Sequence, residues 1–339
     1  MLPSSIDLAV LLVFFTRKDT LEKVFARIRE ARPSELFLYQ DGPRSDRPED
    51  AAKLEACRAV VEQIDWECKV HRLYQEKNYG PDASGYLADR WAFSQADKCL
   101  VLEDDVVPAR SFFAFCKEML DRYEHDERVM LISGWNLEEK TQEIDSDYFF
   151  SAATYTLGWA SWGRVVRQWD AAYSFLDDAE TKRSLQDYIR RMDLPSESMS
   201  AWERHKKSGG LSFECILIAH QHVHRGLTIY PRCNMVRHIG IGGGSSHYQS
   251  ELHMMARADR RLATLSSYEL DVAHLKHPQR VENYPPFSKR VKRMCAVDHP
   301  VIKTFRCLES FLLQCRYGSW KTAVRTLRGQ AQRFLQRLT

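Results

Sequence analysis

Residues 100–113 read LVLEDDVVPARSFF, and this stretch decides the fold. Leu100, Val101 and Leu102 continue an apolar run that reads as a buried strand, and the run ends in three consecutive carboxylates, Glu103, Asp104 and Asp105. Charges at that density repel one another and resist burial, so a positive partner has to offset them. Alternate residues of an extended chain face the same way, which predicts Glu103 and Asp105 on one side and Asp104 on the other. Hard divalent cations, Mg²⁺ or Mn²⁺, prefer carboxylate oxygens and often bind through one or two of them plus substrate phosphates. A triplet at the tip of a buried strand supplies such ligands. The alternative is a turn whose aspartates simply meet solvent before a helix.

On both sides of the triplet, strand-like and helix-like segments alternate. LAVLLVFF (8–15) reads as a strand, and Asp19–Ala31 carries Leu21, Val24, Phe25 and Ile28 at helical spacing. ELFLYQ (35–40) is a second strand, Ala51–Ile64 a helix and CKVHRLY (68–74) a third strand. After the breaker-rich NYGPDASG (78–85) come a helix from Tyr86 to about Ala96, the strand KCLVLE (98–103), a helix from about Ala109 to Tyr123, and the strand RVMLISGWN (128–136). This alternation predicts an α/β fold, a mostly parallel, Rossmann-like sheet flanked by helices. Ligands of such sheets sit outside the carboxyl ends of the strands. The loops holding Thr16–Arg17, Asp41–Arg44, Asn78–Gly80 and Glu103–Asp105 all follow strands and converge on that edge. Residues 148–170 are dense in aromatics, 171–210 read as charged helices, 212–231 as a helix and a short strand, and HIGIGGGSSHY (238–248) as a glycine-rich loop.

With 339 residues, 44% hydrophobic and 28% charged, the chain has room for one large α/β domain with a smaller appendage. A net charge of +3 gives the molecule as a whole no polyanion partner, and no nucleic-acid recognition motif is present. The nine cysteines include no C-x-x-C pair and several sit in apolar runs, as reduced thiols of a cytoplasmic protein do. Leu8–Phe15 is too short to span a bilayer and lacks the basic leader of a signal peptide. From Lys303 onward Glu309 is the only acidic residue, and Trp320, Val324, Leu327, Ala331, Phe334 and Leu338 recur at helical spacing. Residues 291–339 are therefore expected to form a basic amphipathic helical tail. Such a tail can lie on the inner face of an anionic membrane, or pack on the core or on a second subunit.

LVLEDDVVPARSFFAFCKEML resembles the acidic motif of glycosyltransferases of the GT-A fold, and is most similar to that of the N-acetylglucosaminyltransferase I family and related bacterial enzymes. Further blocks follow in the family's order: LLVFFTRKD, LYQDGPR, LISGWN, YTLGWASW and GLTIYPRCNMVRHIGIGGGSSH, so the resemblance runs from about residue 7 to 248. It implies a GT-A-like domain over residues 1–290, with a nucleotide-binding half (1–135) and an acceptor-binding half (136–290). It also implies a metal-dependent, inverting transfer of sugar from a nucleotide diphosphate donor, a UDP-sugar first, to a carbohydrate or lipid-linked glycan acceptor in bacterial surface glycan synthesis. Asp105 matches the position that binds Mn²⁺ across the donor's diphosphate, Arg17 a residue beside the nucleotide, and Asp41 one that hydrogen-bonds uracil. The chain departs from the bacterial pattern in SFECIL (212–217), where a Trp- and Asp-rich segment is usual, and in GGGSSH (242–247), which lacks the acidic residue usual before its last two positions.

Thr16, Asn78, Gly80, Glu103 and Asp104 are expected around the same donor. Glu214 takes the place of the family's Asp and is the candidate general base that removes the acceptor's proton; an exposed glutamate at a helix start is the plainer reading. His247, after the glycine-rich loop, is a candidate last metal ligand or phosphate contact. Trp135, Asn136, Gly158 and Trp159 are candidates for holding sugar rings, although aromatic side chains are more often core. His220, His222 and His224 cannot share one helix face and read as structural. Two other classes remain. A nucleotidyltransferase making nucleotide sugars would be expected to carry a glycine-rich phosphate loop with a Lys after the first strand, which FFTRKDT lacks. A membrane-associated binding protein with an inactive site is the non-enzyme class.

Overall fold

The computed structural model describes residues 1–241 and 252–318. The first half runs β1 (Ile6–Phe14), α1 (Lys18–Ala31), β2 (Pro33–Gln40), α2 (Asp50–Val61), β3 (Lys69–Tyr74), α3 (Pro81–Phe93), β4 (Lys98–Glu103), β5 (Val106–Pro108), α4 (Arg110–Arg122) and β6 (Val129–Ser133). The second half adds β7 (Tyr148–Ser151), β8 (Trp159–Trp162), α5 (Gly163–Val166), α6 (Ala179–Arg191), α7 (Ser198–Ser208), α8 (Phe213–Val223), β9 (Leu227–Pro231) and β10 (Val236–His238). The short α9 (Arg257–Ala263) precedes α10 (Pro285–Met294) and α11 (Pro300–Tyr317).

Eight strands form one sheet in the order β3-β2-β1-β4-β8-β6-β9-β7. Only β8 and β7 run against the rest, so the sheet is mostly parallel and flanked by helices, the α/β architecture that the alternating pattern predicts. Its inner strands read as unbroken apolar runs because both faces are covered: Leu8 to Leu12 of β1 and Cys99 to Leu102 of β4 are all buried. In α1 the four residues expected on one face, Leu21, Val24, Phe25 and Ile28, are the buried ones, each contributing on the order of 2 kcal/mol of transfer free energy. All nine cysteines are free thiols.

Some boundaries moved, for physical reasons. α3 begins at Pro81, five residues before the expected Tyr86, because Pro occupies the helix's first position, where its fixed φ suits a helix and its missing N–H costs nothing. The ribbon of β5 with β10 was not anticipated: VVP is too short to show a period, and its partner lies far along the chain. One sheet spans both expected halves, since β6, β8, β9 and β7 continue it beyond β4. The expected division at 290/291 falls inside α10, whose Phe287 and Val291 are buried against Leu137, Phe149 and Tyr230.

His222 of α8 is 1% exposed, with Tyr188 and Trp202 edge-on at 6.2 and 5.8 Å. Burial pushes its imidazole down from 6.5 to about 4, with Arg225 adding to the effect. Between those two values the unfolded chain binds more protons than the folded one, so stability rises with pH there and is lost on acidification. Between pH 7 and pH 5 this residue should remove about 2 kcal/mol of stability. Urea unfolding should show a smaller loss over that interval in His222→Phe than in wild type; equal losses in both would contradict the assignment.

Candidate functional site

Strand register assembles the site. Val13 of β1 is level with Glu103 of β4, and Phe14 is level with Gln40 of β2, so the segments following these three strands emerge side by side. β8 runs antiparallel to β4 with Trp159 opposite Val101, which brings its first residue to the same edge. α8 packs on α3, with the Phe213 ring filling the space above Gly85, and this places Glu214 beside the strand ends. The resulting cleft has a volume of about 790 Å³.

Thr16, Arg17, Glu103 and Asp104 line it from the centre of the sheet, and Asp41, Asn78 and Gly80 from the β2 side. Trp159 and Glu214 line it from the β8 and α8 side. The structure thus gathers nine of the expected site residues in one cleft. Trp135, Asn136, Gly158 and Asp105 do not line it. Asn136 is fully buried, its side-chain amide spent on Thr141 Oγ1, Pro231 O and Arg232 O at 2.9–3.0 Å. Trp135 is half-buried against the core. Gly158 has φ +58°, a conformation open to glycine at little cost, and a side chain there would press on Val236 at 2.9 Å. What approaches this glycine is the protein itself. His247 lies outside the described residues, as do the tail positions from Trp320 onward.

The positive partner of the acidic triplet is Arg17. Its guanidinium bonds Asp104 and also reaches Asp105 Oδ2 at 2.8 Å, while the Phe15 N–H donates to Asp104 Oδ2 at 3.0 Å. The expected alternation of side chains fails here: β4 ends at Glu103 and the chain turns through Asp104 and Asp105, so the period of two stops one residue too early. As a result Asp104 faces the cleft with Glu103, and Asp105 points toward β10. There His238 Nε2 stands 3.3 Å from Asp105 Oδ2, and the Ile239 N–H donates to the Asp105 carbonyl at 2.8 Å. The backbone then passes so close that a side chain at Gly240 would collide with Asp105 and Arg17. His238 was missed in the sequence because its place beside Asp105 depends on the β5–β10 ribbon, where it is paired with Val106.

These contacts divide the triplet's charge. Burial, then the charges of Asp105, Glu214 and Asp104, push Glu103 up to about 8, so it holds a proton at neutral pH. Burial also raises Asp104, to about 6, against the pull of Arg17. Burial works the same way on Asp105, but the hydrogen bond from His238 and the Arg17 charge outweigh it and hold that carboxyl below the usual range. Asp41 is a different kind of carboxylate. It accepts from the N–H groups of Gly42, Tyr79 and Gly80 and from the Asn78 amide, all at 2.8–3.2 Å, and so pins the Asn78–Gly80 loop to β2. Arg44 and Lys53 add positive charge to the same side of the cleft, Arg44 held by a bidentate pair with Asp50. Glu214 lies in the first turn of α8, where Thr156 Oγ1 donates to its Oε1 at 3.3 Å.

Among the described residues no three His, Cys, Asp or Glu side chains converge into a metal cage. Asp105 Oδ1 is nonetheless buried without a hydrogen-bond partner. One free carboxylate oxygen fits a hard cation that draws the rest of its shell from phosphate and water.

No protein-family model matches the chain, and no curated protein matches it. Among solved structures, a UDP-glucose pyrophosphorylase complexed with UDP-glucose aligns over 68% of this chain and 92% of its own, at 8% identity and a TM-score of 0.35. A 4-diphosphocytidyl-2C-methyl-D-erythritol synthase from Anaerococcus prevotii aligns over 50% and 74%, at 11% identity and a TM-score of 0.27. At these scores neither likeness carries function to this chain.

Proposed function

We propose that this chain is a GT-A-type glycosyltransferase moving a sugar, with inversion, from a nucleotide diphosphate donor to a hydroxyl of a carbohydrate acceptor, with a UDP-sugar as the first donor to test. The observation that carries the reading is one cleft lined both by the Arg17-clamped acidic strand end and by Glu214. Its volume of about 790 Å³ suits a nucleotide sugar. Asp105 lies behind the lining residues Arg17 and Asp104, so its Oδ1 would have to turn into the cleft to hold Mn²⁺ or Mg²⁺; the bound cation would then supply charge neutralisation for the diphosphate leaving group. Arg17 places a fixed positive charge beside the same strand end, and Lys53 and Arg44 extend it toward the nucleotide side. Asp41 acts by fixing the Asn78–Gly80 loop; contact with a base would require it to give up one of its present donors. Trp159 and Phe213 provide apolar walls for a sugar face. Glu214 takes the acceptor's proton as the anomeric carbon is attacked.

Turnover of a UDP-sugar panel with Mn²⁺, with and without oligosaccharide acceptors, tests the reading. A nucleotidyltransferase would instead need a triphosphate; against it stands the three-residue turn Phe15–Arg17 between β1 and α1, which has no glycine. An inactive binding protein would bind donor and turn nothing over.

Peripheral membrane contact belongs to the same reading. Val301, Phe305, Leu308 and Leu312 of α11 recur at helical spacing and are 51–68% exposed, with Lys303 and Arg316 also exposed on that helix. Among the described residues no helix is long and apolar enough to cross a membrane. The full chain should float with vesicles of phosphatidylglycerol and phosphatidylcholine but not with phosphatidylcholine alone. Phe305→Ser should weaken that partitioning about tenfold, the worth of one buried aromatic side chain. Absence of flotation with either vesicle would remove the membrane from the reading.

A further inference from the structure

Asp89 belongs to the cleft but to none of the roles above. It lies on α3, where Asp82, Gly85 and Asp89 all line the cleft at positions i, i+3 and i+7, one face of the helix. The residue is 1% exposed, and neither carboxyl oxygen has a hydrogen-bond partner. Buried polar groups are almost always partnered, because an unmade bond in the interior costs stability. The surrounding carboxylates show the contrast: Asp41, Asp50 and Asp104 are each bonded by protein donors. Burial first, and then the neighbouring Glu103, raise the Asp89 pKa well above a carboxylate's ordinary value, which favours the neutral acid, a form with one O–H donor and one carbonyl acceptor. A sugar hydroxyl offers the matching acceptor and donor.

We propose that Asp89 is a specificity-determining residue of this cleft, where its two unpartnered oxygens hydrogen-bond a hydroxyl of the nucleotide sugar. The inference rests on the nucleotide-sugar reading and adds the residue that recognises the donor's polyol part. The hydroxyl belongs either to the ribose or to the transferred hexose, and both offer the same chemistry. The position also accounts for a polar group that the fold is better off without: at a buried site, an apolar side chain of similar volume removes the desolvation penalty.

The test is titration calorimetry in Mn²⁺ with UDP, UDP-glucose, UDP-galactose and UDP-N-acetylglucosamine, alongside thermal unfolding, for wild type, Asp89→Leu and Asp89→Asn. Asp89→Leu should melt higher than wild type yet bind the preferred UDP-sugar at least tenfold more weakly. UDP affinity is unchanged if the hexose hydroxyl is read, and falls equally if the ribose is read. Asp89→Asn, which keeps a neutral donor and acceptor, should stay within about threefold of wild type. Should Asp89→Leu fail to fold, Asp89→Ala is read by the same affinities. Affinities within twofold of wild type in the apolar variant overturn this inference alone. A wild-type protein that binds none of the four nucleotides overturns it together with the nucleotide-sugar reading.

Discussion

Asp105→Ala is expected to lower divalent-dependent turnover of a UDP-sugar by about two to three orders of magnitude, the scale of losing one charge-stabilising contact at a reacting centre. The reason lies in how the triplet divides its labour. Asp104 has both oxygens engaged, one by Arg17 and one by the Phe15 N–H, and Glu103 holds a proton at neutral pH. Asp105 is the member with a buried, unclaimed oxygen and a carboxyl held in its charged form. Its removal leaves Arg17 on Asp104, so the strand end keeps its clamp and the variant should fold. The measurement is UDP affinity in Mn²⁺ against UDP affinity in EDTA. Wild type should show a large difference and Asp105→Ala almost none. If the variant bound UDP in Mn²⁺ as wild type does, the cation would have to be assigned elsewhere.

Glu214→Gln should cut kcat by about 10²–10⁴ while leaving donor affinity near wild type, because the amide keeps the shape of the side chain and loses only its capacity to take a proton. The Thr156 hydroxyl can still donate to the amide oxygen, so the local hydrogen bond survives the substitution. This split distinguishes a base from a glutamate that merely favours the start of α8 through the helix dipole, whose replacement would shift stability and leave kcat alone. Full transfer rates in the variant would send the search for a base to Asp170 or Asp177. Asp170 now accepts from the Ser174 hydroxyl, and Asp177 pairs with Lys206 at 2.6 Å.

Much of the cleft was legible because it is built from strand ends. Once β1 to β4 are read as strands alternating with helices, the residues at and after the end of each must emerge at one edge of a parallel sheet. Thr16, Arg17, Asp41, Asn78 and Glu103 could therefore be gathered without knowing a single contact. Glu214 came from its place in an apolar helix and from the resemblance. The misplaced side of Asp105 has a local cause: a period-two argument holds only while the chain stays extended, and the turn after Glu103 ends it.

The sequence by itself determined the element order, the α/β class and the edge of the sheet at which the charge collects, since apolar periodicity and chain punctuation act over a few residues. Only the tertiary structure decided that Arg17 answers the triplet, that His238 stands over Asp105, that Asn136 and Gly158 serve the fold's interior, and that Asp89 faces the cleft without a partner. Each of these depends on segments far apart in the chain meeting in space, β1 beside β4, β6 beside β9, β10 against β5 or α3 against α8. The partner of a buried charge is chosen by which donor lies within about 3 Å, a distance that local pattern does not encode.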